Sequence, residues 1–130
     1  MGDYTPVNNV DVVTSTASAA VTGGQLLTAS GVSTVAPSTT GDHSIGVAIQ
    51  DAPSGGRVSL AVLPAAIHEL VVQNTLAVVA GGPVVAGTAG TIGPGSTLGA
   101  AAAAGTLIGI ALTSGTGNAG GTVRARFIGV

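Results

Sequence analysis

A chain of 130 residues and 12.1 kDa has the size of one domain, with roughly 6,000 Å² of folded surface expected. Only eight residues are charged, five acids and three arginines, with no Lys and no Cys, giving a formal net charge of -2. That composition excludes a basic patch for nucleic acid, disulfide and thiolate chemistry, and P-loop or Schiff-base lysines. A mean hydropathy of +0.65 with 45% hydrophobic residues is opposite to the signature of disordered chains.

The first nine residues are polar, contain Tyr4 and Pro6, and precede the first β-like run, so they are expected to form an arm (1–9) ahead of a single domain (10–130). Met1-Gly2-Asp3 offers no basic and apolar leader, and the chain is expected to be made and kept in the cytosol. Short runs rich in Val, Ile and Thr, separated by Gly, Pro, Ser and Asn, then predict strands. They fall at Val10 to Thr16, Gln25 to Thr28, Val32 to Val35, Ser44 to Gln50, Arg57 to Leu63, Ile67 to Gln73, Pro83 to Ala86, Leu107 to Thr113 and Thr122 to Ile128. In the last of these Val123, Ala125 and Phe127 alternate with Thr122, Arg124 and Arg126, which predicts a half-buried strand with both arginines outward.

No charge lies between Glu69 and Arg124, yet the prolines and glycines there leave no apolar run of the roughly 20 residues a membrane helix needs. The alanines between Gly99 and Gly105 are too few for a stable isolated helix and predict a single packed turn. The expected fold is therefore all-β: one small barrel or sandwich with at most one short helical turn.

Internal similarity runs through the chain. Ile45-Gly46-Val47-Ala48-Ile49 and the following Arg57-Val58-Ser59 match Ile108-Gly109-Ile110-Ala111-Leu112 and Thr122-Val123-Arg124. The displacement is 63 positions before the turn and 65 after it. Upstream, Val21 to Leu27 matches Val79 to Val85 at 58 positions, and Thr34 and Pro37 match Thr91 and Pro94 at 57. These matches predict two related β-hairpin units within one barrel.

Catalytic patterns fail their context. Gly115, Gly117 and Gly120 spell a G-x-G-x-x-G, but a strand follows where a dinucleotide fold requires a helix, so a hairpin turn is expected. Asp42-His43-Ser44 contains triad residue types, but adjacent residues on a strand point to opposite faces. His43, His68 and Glu69 are expected to be solvated strand-end groups in preference to metal ligands. No enzyme activity and no cofactor is expected.

The ordered pieces resemble the small capsid cement, or head-decoration, proteins of tailed bacteriophages. They are Asp11-Val12-Val13-Thr14 leading to Gly23-Gly24-Gln25-Leu26, Ile45 to Ala48, Leu63-Pro64 to Leu70, Gly81 to Val85, Ile108 to Ala111, and Val123 to Phe127. The resemblance implies a virion protein on the outer capsid surface that braces the shell, binds the major capsid protein, forms a homotrimer and has no catalytic residues, nucleic acid or membrane partner. Tyr4, Pro6, Val7 and Val10 are the candidate capsid contacts, with Arg124 and Arg126 as outward strand charges. The competing reading is an adhesion module for carbohydrate or host protein, against which stands the shortage of aromatic anchors, with no Trp and one Tyr; a small hydrolase around His43 or His68 ranks third.

Overall fold

The β-branched runs and the glycine pairs between them fold as expected into an all-β chain, in a computed structural model that describes residues 11–130. The strands are β1 (Val12–Ala17), β2 (Leu26–Gly31), β3 (Thr34–Pro37), β4 (Ser44–Ala48), β5 (Arg57–Val62), β6 (Ile67–Val71), β7 (Ala77–Val78), β8 (Pro83–Ala86), β9 (Ile92–Pro94), β10 (Gly109–Ala111), β11 (Gly115–Thr116) and β12 (Arg124–Gly129). A 3₁₀ turn spans Thr88–Gly90, and one helix, α1, spans Leu98–Ala104. The alanine patch thus makes two turns of helix where one was expected. Thr97 Oγ1 accepts the Ala100 N–H at its start, and Gly105 closes it in the left-handed conformation at φ 73°.

Strands β1 to β5 close into a barrel in the order β1-β3-β2-β4-β5. A second five-stranded sheet follows in the order β6-β12-β10-β8-β9, and a parallel bridge from Val72 to Ile92 joins its two ends. The second sheet repeats the first, pair by pair. Thr14 opposite Ser59 recurs as Glu69 opposite Arg126, and Leu27 opposite Gly46 recurs as Val84 opposite Gly109. Leu27 opposite Pro37 recurs as Val84 opposite Pro94, and the parallel pair Ala17 and Val35 recurs as Val72 and Ile92. Even the bridge from Val21 to Ala52 has its counterpart, Val78 opposite Gly115 in the ribbon of β7 and β11.

The repeat therefore spans a whole five-stranded unit, closed by strand pairing in the first barrel and by the single Val72–Ile92 bridge in the second, and is larger than the hairpin units within one barrel that the internal matches predict. Its displacements are 55 positions for β1 to β6, 57 for β2 to β8 and β3 to β9, 63 for β4 to β10, and 67 for β5 to β12. The expected values of 58 for the glycine turn and 65 after the second hairpin turn are corrected to 57 and 67. The turn bonds fix both. Gln25 N–H donates to Thr22 O and Gly82 N–H donates to Val79 O, while Ile49 N–H donates to Ser59 O and Leu112 N–H donates to Arg126 O. Side chains repeat as well: Asp51 Oδ1 accepts the Gly23 N–H at 2.8 Å, and Ser114 Oγ accepts the equivalent Ala80 N–H at 2.9 Å.

Buried residues form two clusters. The first barrel holds Ala17, Val21, Leu27, Val35, Ala48, Ala52, Val58 and Leu60. All but Ala52 have their repeat partners in the other cluster, at Val72, Val78, Val84, Ile92, Ala111, Ala125 and Phe127. That larger cluster also takes in Leu26 and Val47 from the outer face of the first barrel, so the two barrels share apolar packing. The accessible surface is 5914 Å², in line with the expectation from chain length.

Other strand boundaries differ locally. Val32 lies in the turn before β3, because Ser33 takes φ 57° and ends the run. The segment between Gly117 and Gly121 is a turn, in which Asn118 Oδ1 accepts the Thr122 N–H, so β12 begins at Arg124 instead of Thr122.

Candidate functional site

Tyr4, Pro6, Val7 and Val10, the expected capsid contacts, lie outside the described residues. Arg124 and Arg126 point outward from β12 as the alternation requires, while Ala125 and Phe127 are buried. Arg126 Nε stands 3.0 Å from Glu69 Oε1 across the register pair. Both side chains are about half exposed, so this pair contributes at most about 0.5 kcal/mol.

His68 corrects the expectation of a solvated strand-end group. It is fully buried on β6, its ring centroid 5.6 Å from that of Phe127, and its Nε2–H donates to Val62 O at 3.1 Å. Burial pushes its pKa below the ordinary 6.5, with the Val62 bond acting in the opposite direction. Below about pH 6.5 the unfolded chain takes up a proton that the folded chain refuses, so stability is complete above that value and declines as pH falls toward the lowered folded pKa. The expected result is a lower urea midpoint at about pH 5.5 than at about pH 7.5, with a flatter dependence in His68→Leu. An identical slope in the variant overturns this.

The Asp42-His43-Ser44 run is used for local structure. Asp42 Oδ2 accepts the Thr39 N–H, Thr28 Oγ1 donates to His43 O, and the Ser44 hydroxyl shares a 2.8 Å bond with that of Ser38. His43 is exposed beside Gly105, far in role from the buried His68. Among the described residues no three of His, Asp and Glu gather where they would hold a metal ion, and no helix is long and apolar enough to cross a membrane.

What the fold does create is surface at the junction of the repeats. A shallow groove of about 570 Å³ is lined by three pairs of repeat-equivalent residues, Ser44 and Leu107, Ile45 and Ile108, Leu63 and Val130. Asp11, where the described chain begins, lies on its wall. A second cleft of about 310 Å³ runs between the Thr22–Gln25 turn of the first barrel, the Ala89-Gly90-Thr91 turn of the second, and Arg124. Gln25 Nε2 donates to Ala89 O, and Gly90 N–H donates to Ser38 O across the same junction. The mainly apolar lining of the first groove suits contact with another macromolecule, whereas the second cleft is lined mostly by Gly, Thr, Gln25 and Arg124. The signal in the sequence that leads to them is the continuation of the internal match beyond the hairpins.

No family profile matches the chain, and no curated protein matches it in sequence. Among solved structures, the chain is similar to the head fiber gp8.5 N base of bacteriophage phi29, with a TM-score of 0.69 and 16% identity over 94% of this chain and 95% of that one. At that identity the shared property is the all-β fold, along nearly the whole of both chains.

Proposed function

We propose that this protein is a structural component of a phage virion, bound to the outside of the capsid shell and bracing it as a cement protein without catalytic activity. The observation that supports this most is the end-to-end likeness of fold to a phage head fiber base, joined to a surface with very few charges. An Ala-, Gly- and Val-rich exterior suits a permanent interface. In this reading the partners are the major capsid protein and further copies of the chain, as a homotrimer, and many copies sum modest contacts into resistance to rupture. The arm before Asp11, with Tyr4, Pro6, Val7 and Val10, would add backbone pairing to a sheet of the shell protein. The adhesion alternative gains nothing from the described residues, since their one Phe is buried and no aromatic anchor is exposed.

The test is the copy number in purified particles from the source, by quantitative mass spectrometry. About one copy per shell subunit is expected, and a chain lacking residues 1–9 is expected to bind stripped particles more weakly. A few copies per particle, or none, overturns the cement role, and undiminished binding by the shortened chain overturns the role of the arm.

A further inference from the structure

The two barrels are equivalent in fold and unequal in surroundings. On the outer face of the first barrel, Leu26, Val47 and Ala61 are fully buried, and the first two join the core cluster of the second barrel. Leu70 and Ala86 of the second barrel share that cluster, and His68, on the same face of β6 as Leu70, is buried with its Nε2–H bonded to Val62 O of the first barrel. One barrel thus lays its side across the mouth of the next.

Each half of that contact exists a second time, with no partner among the described residues. The repeat equivalents of Leu26, Val47 and Ala61 are Pro83, Ile110 and Ile128, which are also apolar. Pro83 and Ile110 are partly exposed, and Ile128 is 37% exposed. The equivalents of His68, Leu70 and Ala86 are Val13, Ser15 and Ala29, with Val13 46% exposed and Ala29 exposed. The turn residue Ala89, whose carbonyl meets the first barrel through Gln25, corresponds to Val32, which is 93% exposed. Among the described residues, a mostly apolar side on the second barrel and a mouth of Val13, Ala29 and Val32 beside Ser15 on the first are left partly exposed, and the contact inside the chain shows what fits each.

We infer that copies of this chain associate head to tail, the side of the second barrel at Pro83, Ile110 and Ile128 covering the mouth of the first barrel of the next copy at Val13, Ala29 and Val32. The occupant is a second copy because the intramolecular junction is already this contact, built from the same strands. The backbone bond from Gly90 N–H to Ser38 O has Ser33 and Gly95 as the equivalent pair between copies, whereas Gln25 is replaced by Gly82, so the intermolecular version rests more on apolar burial. A heterologous contact of this kind closes into a ring or runs on as a filament.

Native mass spectrometry and sedimentation of the purified chain at micromolar concentration test this. The wild type is expected to assemble, and Ile128→Glu and Val13→Glu are each expected to be monomeric with unchanged circular dichroism and urea midpoint. Pro83→Glu replaces Ile128→Glu if the latter fails to fold. Because each variant keeps one intact half of the contact, mixing the two is expected to yield dimers and nothing larger. A monomeric wild type, assembly by either folded variant, or a mixture that stays monomeric overturns the inference. The inference rests on the self-association in the proposed function, so a monomeric wild type also removes the homotrimer from that reading, while binding to the shell is decided separately by the copy number in particles.

Discussion

Truncating Phe127 to alanine is expected to remove about 4 kcal/mol of unfolding free energy, the range for a fully buried aromatic whose cavity cannot collapse. Phe127 has no solvent exposure, packs against His68, and belongs to the cluster that includes residues of both barrels. Its repeat equivalent, Leu60, is also buried but sits in the cluster confined to the first barrel. Leu60→Ala is expected to cost about 3 kcal/mol, and to act on the first barrel alone. Urea denaturation followed by circular dichroism measures both, and hydrogen exchange resolved along the chain separates them. Loss of protection in β2 and β4 as well as in the second barrel is expected from Phe127→Ala, because Leu26 and Val47 lean on the same cluster. Equal costs with loss confined to one barrel in each variant would show that the two cores are independent.

Valine at Gly46 or Gly109 is expected to destabilise the chain by about 3 kcal/mol each, the upper part of the usual range for overpacking. These glycines occupy the same place in the two barrels, on β4 and β10, where the neighbouring strand crosses too closely for a side chain. A Cβ on Gly46 would stand 2.6 Å from Ala61 O and 2.5 Å from Leu60 Cδ1. On Gly109 it would stand 2.4 Å from Ile128 O and 2.5 Å from Phe127 Cδ2. In each case one obstacle is backbone, which cannot swing aside as a side-chain tip does. Gly99, which has nothing within 4 Å, serves as control, and Gly99→Ala in α1 is expected to be neutral or slightly stabilising. Chemical denaturation of the three variants decides the matter, and a tolerated valine at either close crossing contradicts it.

These two glycines also show how much of the fold was open to reading. The Ile-Gly-Val-Ala and Ile-Gly-Ile-Ala runs stand out because the same packing restriction acts twice, and the alternation of Arg124, Ala125, Arg126 and Phe127 gave the inward and outward faces of the last strand. Register was harder. In a chain of Ala, Gly, Val and Thr, a slip of one or two positions leaves a match of similar quality, so matching residues alone puts the glycine turns 58 positions apart and the segment after the second hairpin turn 65 apart, where the fold has 57 and 67. Only the backbone bonds of the folded chain discriminate, since they tie Gln25 to Thr22 and Gly82 to Val79. The two-residue strands β7 and β11 carry no periodicity to read. The burial of His68 depends on the first barrel covering the second, a tertiary event with no local signature beside Glu69. For the functional surface, the outward arginines were legible, while the junction groove required knowing that Ile45 and Ile108, or Leu63 and Val130, come from the same place in two barrels and meet.

The unequal displacements of the repeat have a practical meaning. Between β3 and β9 on one side and β4 and β10 on the other, the displacement grows from 57 to 63, and those six additional residues fall in the connection that contains α1. Between β4 and β10 and the following β5 and β12 it grows from 63 to 67, in the exposed turn around Asn118. All the length differences lie in connections and none within a strand, so the scaffold has already accepted extra chain at these ends of its barrel. The shorter counterpart of the second turn, Pro53-Ser54-Gly55, is exposed on the first barrel. It is the natural place to splice in a foreign peptide for display, a loop whose longer version this same molecule already carries.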